Sequence, residues 1–195
     1  MEGSTALTND GVIRPVKLAH FVLRSSRYAE IVAWYQLVLG CRAVFANDLL
    51  TFLTYDDEHH RVAILNVPDL ATQAGGVAGV HHIAFTYGSL GELLAHYERL
   101  RDAGIKPVFV INHGPTTSLY YADPDGNQLE FQVENYADVV ESTKFFFSDE
   151  FAENPIGVEF DPEDLIARMR AGEPEESLKK RPRAGARGLA DVKLA

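Results

Sequence analysis

Cysteine is almost missing from this chain: among 195 residues, Cys41 is the one thiol. That excludes a disulfide framework and a metal site built on thiolates. Cations are also scarce, 18 Lys and Arg against 28 Asp and Glu, for a formal net charge of −10. A balance of that sign repels phosphate backbones and anionic headgroups, so neither nucleic acid nor a membrane is expected as partner. No apolar run approaches the roughly 20 residues that a spanning helix needs. The opening stretch MEGSTALTND carries neither a basic nor an apolar block, and a cytoplasmic location is expected. What is left is a chain of ordinary apolar content, 46% hydrophobic, enough for one well-buried domain and an appendage.

What the chain does contain is a repeat. The stretch KLAHFVL (17–23) leads into RYAEIVAWYQLVLG (27–40), with apolar residues at helical spacing and a stop at Gly40. GVHHIAF (79–85) leads in the same way into SLGELLAHYERLRDAG (89–104), which stops at Gly104. Overlaid, His20 falls on His82, Glu30 on Glu92 and Tyr35 on Tyr97, and then VF 44–45 falls on VF 108–109. YDDEHHRVAIL (55–65) lies on ADPDGNQLEFQ (122–132), with Asp56 on Asp123. Each copy reads as one strand, a helix and three strands. A half of that size leaves one sheet face uncovered, so the two copies must pair. The expected fold is α+β: two paired βαβββ modules, 15–67 and 79–135, within a domain 15–135. Residues 1–14 form an N-terminal segment, and 136–195 a C-terminal extension.

Strand parity sorts the polar residues. Successive side chains in a strand point to opposite faces. His81 therefore shares a face with Ile83 and Phe85, and belongs to the strand entrance. His82 shares the opposite face with the small Ala84, and it is His82 that has a repeat partner, His20. In NQLEFQVE (127–134), Leu129, Phe131 and Val133 make the apolar face, which leaves Glu130 on the face of the two histidines. A carboxylate on an exposed sheet face is common by itself, but the coincidence with His20 and His82 points to a ligand set. Two imidazoles and one carboxylate suit a divalent first-row metal, and with open coordination positions they suit Fe(II) and O₂, with Mn(II) as the alternative ion. The first-module counterpart of Glu130 is Ala63, so a fourth ligand is not expected.

With AHFVL, HHIAF and above all SLYYADPDGNQLEFQ, the sequence resembles the vicinal oxygen chelate superfamily over about residues 15–135. The resemblance implies paired βαβββ modules whose sheets curl around a metal. Within the superfamily the chain is most similar to the type I extradiol ring-cleaving dioxygenases, in a short form with one paired-module domain. That implies oxidative cleavage of a catechol-type ring, with His20, His82 and Glu130 as metal ligands. It also implies an acid–base histidine at His60, with His59 as competitor, and an active-site tyrosine at Tyr120. His113 and Asn112 would be further polar groups of the site, catalytic and substrate-binding respectively.

Other members of the superfamily set the alternatives. A glyoxalase-type isomerase wants a fourth ligand, which Ala63 denies. A fosfomycin-type transferase wants cations, and 117–134 has no Lys or Arg. An epimerase would use an acid–base pair, for which His60 and Glu130 are candidates. A non-catalytic binding protein has little use for an aligned His/His/Glu set. His96, on the second helix, reads as structural or exposed. In the extension, FFFSDEF (145–151) carries aromatics that need cover, over the mouth of the site or on a second subunit. DPEDLIARMRAG (161–172) has an Asp161 cap, a Pro in the first turn and a Gly stop, so a short helix is expected. The remainder, with its KKRPRAGAR cluster, reads as a solvated, flexible arm. An arm of this kind would suit a homo-oligomer.

Overall fold

The computed structural model describes residues 11–71, 78–188 and Asp191. Residues 1–10 of the expected N-terminal segment, and 189–190 and 192–195 of the expected arm, lie outside the described residues.

The first module runs β1 (Phe21–Ser25), α1 (Tyr28–Leu39), β2 (Arg42–Ala46), β3 (Leu50–Thr54) and β4 (Val62–Asn66). Its sheet has the order β1-β4-β3-β2, with β1 parallel to β4 and the other neighbours antiparallel. Helix α1 lies over β1 and β4. It buries Ile31, Tyr35 and Val38 completely, one stripe at helical spacing. Leu53, Val62 and Ile64 close the core from the sheet. Full burial of each such side chain stabilises by about 1.5–3 kcal/mol. Gly40 ends the helix at φ 65°, a left-handed cap that suits glycine. The first strand starts later than its sequence suggests. Residues 17–20 stay out of the ladder, and the carbonyls of Leu18 and Ala19 accept from the Arg61 guanidinium instead.

The second module repeats the plan with β5 (His82–Thr86), α2 (Leu90–Asp102), β6 (Phe109–Asn112), β7 (Thr116–Ala122) and β8 (Gln128–Glu134). The order is β5-β8-β7-β6, and β5 is parallel to β8. The fold is therefore α+β, with two βαβββ modules and two four-stranded mixed sheets, one in each module. The β7–β8 hairpin owes its sharpness to Asp123. Its carboxylate accepts from the backbone N–H of Asp125 (2.9 Å) and Asn127 (2.8 Å) and from the Asn127 side chain (2.8 Å). Gly126 supplies the positive φ of 90° that this turn requires.

The extension belongs to the second module. It runs through α3 (Val139–Phe145), α4 (Asp149–Glu153), α5 (Pro162–Arg170) and α6 (Glu175–Leu178). Asp161 caps α5 by accepting from the Glu163 N–H, with Pro162 in the first turn. Helix α5 packs on α2, where the Tyr97 hydroxyl and Arg101 both donate to Glu163. Val158 pairs with Asn112 at the open edge of β6, which shields part of an edge that would otherwise offer unpaired N–H and C=O groups. Phe145 covers Gly114 so closely that a Cβ there would lie 2.3 Å from the ring.

Part of the arm expected to be solvated is packed instead. Leu178 is buried, and the Arg181 side chain is only 4% exposed. The reason is a run of contacts from side chain to main-chain carbonyl, a pattern that leaves no periodicity in a sequence. Among the described residues no helix is long and apolar enough to cross a membrane.

His96 is structural. It is buried against Phe131, with ring centroids 4.4 Å apart. Its Nδ1 accepts from Arg99 at 3.2 Å and lies 2.8 Å from the Tyr87 hydroxyl, while Nε2 has no hydrogen-bond partner among the described residues. Burial first, and then the Arg99 charge, push its pKa down to about 4. In an unfolded chain it returns to about 6.5. The unfolded state thus takes the proton first, so this stabilisation is complete above about pH 6.5 and is lost as pH falls through 4. Urea unfolding of the parent and of His96→Leu at pH 7.5 and 4.5 measures it. The stability lost between the two pH values is expected to shrink by about 2–3 kcal/mol in the variant. An equal loss in both proteins would overturn the assignment.

Candidate active site

Strand register carries the repeat into three dimensions. Across the second sheet one row runs Ala84, Glu130, Tyr120, Phe109, each paired with the next. Across the first the matching row runs Val22, Ala63, Phe52, Phe45. The second row is polar at its centre, whereas the first is apolar throughout.

Glu130 is 5% exposed yet ionised. Burial alone would raise its pKa. Hydrogen bonding by His82, Ser118 and Tyr120 outweighs that and holds it below the usual carboxylate value. His82 Nε2 stands 3.1 Å from Glu130 Oε2, and its ring meets Tyr120 edge-on at 5.2 Å. The parallel pairing of β5 with β8 produces this approach, since it aligns His82 with Gln128 and Ala84 with Glu130. His81, exposed at the strand entrance, shares a ring-nitrogen contact of 2.8 Å with His82.

Tyr120 is buried, and desolvation together with the Glu130 charge pushes its pKa well above the usual phenol value. Its hydroxyl lies 3.0 Å from His113 Nε2. The other ring nitrogen of His113, Nδ1, is 2.5 Å from the Ile156 carbonyl. A carbonyl can only accept, so Nδ1 carries the proton. Burial lowers the His113 pKa despite that carbonyl, so the ring is neutral and its Nε2 lone pair faces the Tyr120 O–H. Tyr120 has one proton and two claimants, His113 and Glu130.

Asn112 turns towards the extension. Its Nδ2 donates to the Lys179 carbonyl (2.8 Å), and its Oδ1 accepts from Gly114 N (2.9 Å) and from Asn135 Nδ2 (3.1 Å). Sequence reasoning placed this residue at the substrate; it missed Arg181, Asn154 and Ile156, which surround His113. Neither an isolated arginine nor a backbone carbonyl leaves a motif to find.

The first module holds the other two expected residues. His20 is exposed, just before β1, with its ring 4.2 Å from that of His60. His60 stacks on Phe52 at 4.6 Å, and its Nδ1 is 2.6 Å from His59 Nδ1. Partial burial first, and then the charges of His20 and His59, lower its pKa. His59 is the more exposed of the pair. Among the described residues no group of three or more His, Cys, Asp or Glu side chains is assembled to hold a metal ion. The expected set divides between the modules, His20 in the first and His82 with Glu130 in the second.

Comparison with known proteins places this geometry. Residues 17–131 match the family model described as Glyoxalase/Bleomycin resistance protein/Dioxygenase superfamily. A protein of Rhodococcus globerulus named biphenyl-2,3-diol 1,2-dioxygenase 2 is 44% identical over 163 residues, covering 83% of this chain and 86% of that protein. A second from the same organism, biphenyl-2,3-diol 1,2-dioxygenase 3, is 43% identical over 167 residues, covering 85% and 88%. Among solved structures, a glyoxylase/bleomycin resistance protein/dioxygenase domain from Frankia sp. EAN1pec superposes with a TM-score of 0.52 at 17% identity, covering 64% of this chain and 96% of that one. At that identity the superposition speaks for the fold alone. The chain belongs to the glyoxalase/bleomycin resistance protein/dioxygenase superfamily.

Proposed function

We propose that this protein is an extradiol dioxygenase, which opens the aromatic ring of a catechol-type diol with O₂ and retains both oxygen atoms in the product. The observation that carries this is the identity of 44% and 43%, over most of both chains, to two proteins named as biphenyl-2,3-diol 1,2-dioxygenases. The second module supports it with a buried carboxylate and a tyrosine on one row of the sheet, an imidazole facing the carboxylate and a second imidazole on the tyrosine.

On this reading His20, His82 and Glu130 hold a divalent metal, Fe(II) before Mn(II), with the two modules paired so that their sheets curl around it. The donor chemistry fits, since imidazole and carboxylate both serve first-row ions and Glu130 is kept in its ligating, ionised form despite burial. When bound, the metal supplies Lewis acidity toward two adjacent hydroxyls and the place where O₂ reacts. The remaining steps fall to side chains. His60, neutral and in contact with His59 at Nδ1, takes a hydroxyl proton at Nε2 and returns it later on this reading. Tyr120 donates to the oxygen that becomes negative as the ring opens, where burial strengthens such a bond. His113 Nε2 competes with Glu130 for the Tyr120 proton in the resting site. Asn112 supports His113 from behind, through its contacts to Gly114 and Lys179. The apolar row Val22, Phe52 and Phe45 offers half-exposed surface suited to a flat arene. An acidic chain is no obstacle, because the diol arrives nearly neutral.

Anaerobic loading with Fe(II), followed by air and 2,3-dihydroxybiphenyl, tests the reading. One O₂ consumed per diol, with a yellow ring-fission product, is expected. Glu130→Ala should lose both oxygen uptake and bound metal. His60→Ala should keep its metal while kcat falls by about 10²–10⁴. Metal binding without oxygen uptake on any diol would overturn ring cleavage and point to isomerase or epimerase substrates. Failure to bind metal would remove the ligand set.

A further inference from the structure

Arg181 lies far along the chain from every expected site residue, yet it is buried beside His113. Its side chain is 4% exposed. Nη1 donates to the His113 carbonyl (3.1 Å) and to the Asn154 carbonyl (3.0 Å), and Nη2 donates to the Glu150 carbonyl (3.3 Å). Glu150 Oε1 is 3.0 Å from Nε but off the line of its N–H, an ion pair without a hydrogen bond. The guanidinium also sits over the Phe145 ring, 5.3 Å from its centroid, and that ring is the one covering Gly114. A buried guanidinium is tolerated only where its N–H groups find acceptors, and here the acceptors are specific.

The two carbonyls on Nη1 belong to the two stretches that fix the His113 ring. One is His113 itself, at the backbone end of the side chain. The other is Asn154, fully buried, whose Oδ1 accepts from the N–H of Ile156 (3.1 Å) and of Gly157 (2.8 Å). Asn154 thereby shapes the turn that presents the Ile156 carbonyl to His113 Nδ1. The same turn presses on β6, where a Cβ at Gly157 would stand 2.4 Å from the Asn112 carbonyl oxygen. A clamp that merely tethered the extension could use any carbonyl. This one joins the ring's own backbone to the loop that sets its tautomer.

We propose that Arg181 is a positioning residue of the active site: it fixes the orientation and tautomer of His113, and through it the direction of the Tyr120 hydroxyl. The proposal rests on the ring-cleavage reading for its effect on turnover and on geometry alone for its effect on His113. The expected signature is a loss in kcat of about 10²-fold in Arg181→Met, from a displaced reacting group, with KM changed by less than about threefold. The loss should not multiply with that of His113→Gln, because the arginine acts through the histidine.

The test is a double-mutant cycle of Arg181→Met and His113→Gln in the full chain loaded with Fe(II), read as kcat and KM on 2,3-dihydroxybiphenyl. Alongside it, ¹⁵N spectra of histidine-labelled, metal-free full chain report the His113 tautomer. A double variant no slower than His113→Gln, with the parent's Nδ1–H form giving way to a mixture in Arg181→Met, supports the proposal. Losses that multiply, or a parent spectrum with the proton on Nε2, overturn it. Should Arg181→Met fail to fold, Arg181→Lys keeps the charge but loses the planar fork that holds the His113 and Asn154 carbonyls on one nitrogen and the Glu150 carbonyl on the other. It is expected to show an intermediate kcat at an unchanged unfolding midpoint, and parental kcat in that variant counts against the proposal. A parent that turns over no diol overturns ring cleavage instead, and the imidazole spectra then decide the positioning alone.

Discussion

Keeping Glu130 ionised inside the second module is the constraint on which the rest of that module depends. An isolated buried carboxylate would take up a proton rather than stay charged. Here the charge survives because His82, Ser118 and Tyr120 reach it, and all three arrive through strand register. The parallel β5–β8 ladder brings His82 alongside, and the antiparallel β7–β8 ladder places Tyr120 directly opposite. A slip of one residue in either ladder would turn its partner to the helix-covered face. The Asp123 turn, which fixes the hairpin register with three hydrogen bonds to one carboxylate, is therefore part of the site although it lies beyond the end of the row.

The constraint propagates outward through a single proton. Tyr120 can donate once, and both Glu130 and His113 can accept. Which one receives it depends on where His113 carries its own proton, and Ile156 decides that by offering only a carbonyl. Ile156 belongs to the extension, held by Asn154 and Arg181. The extension is thus tied to the chemistry of the sheet by a chain of donors and acceptors in which each choice forces the next. That the extension packs on α2 and covers the edge of β6 secures the same geometry mechanically.

What could be read from the sequence follows from what repeats. Helical spacing, a glycine stop and strand alternation recur in both halves, so the βαβββ plan, the His20–His82 equivalence and the place of Glu130 on the face of His82 were all legible, whereas the burial of Glu130 was not. The repeat and strand parity together separated His82 from His81. The start of β1 was not legible, because Arg61 captures carbonyls that the apolar pattern assigned to a ladder. The packing of the arm was hidden for the same reason. Arg181 reads as one more cation in a polar stretch, and its meaning lies in three carbonyls whose positions depend on the finished fold. Asn112 was found as a polar residue of the right neighbourhood, but its direction, toward Lys179, is set by an element that the repeat does not contain.

The divergence of the two halves has a physical logic of its own. One plan yields two equivalent rows, and only one of them carries a buried charge. Giving Ala63 a carboxylate would require a second set of donors on the first sheet, where the flanking residues of the row are Val22 and Phe52. Neither can donate, so a charge there would be unpaired and costly. The apolar row leaves His60 stacked on Phe52 and close to His20, in surroundings that favour a neutral imidazole. The second row, by contrast, keeps an anion by means of donors. A duplicated module has in this way separated two demands that one sheet meets poorly at once, an ionised carboxylate and an uncharged imidazole beside an apolar surface.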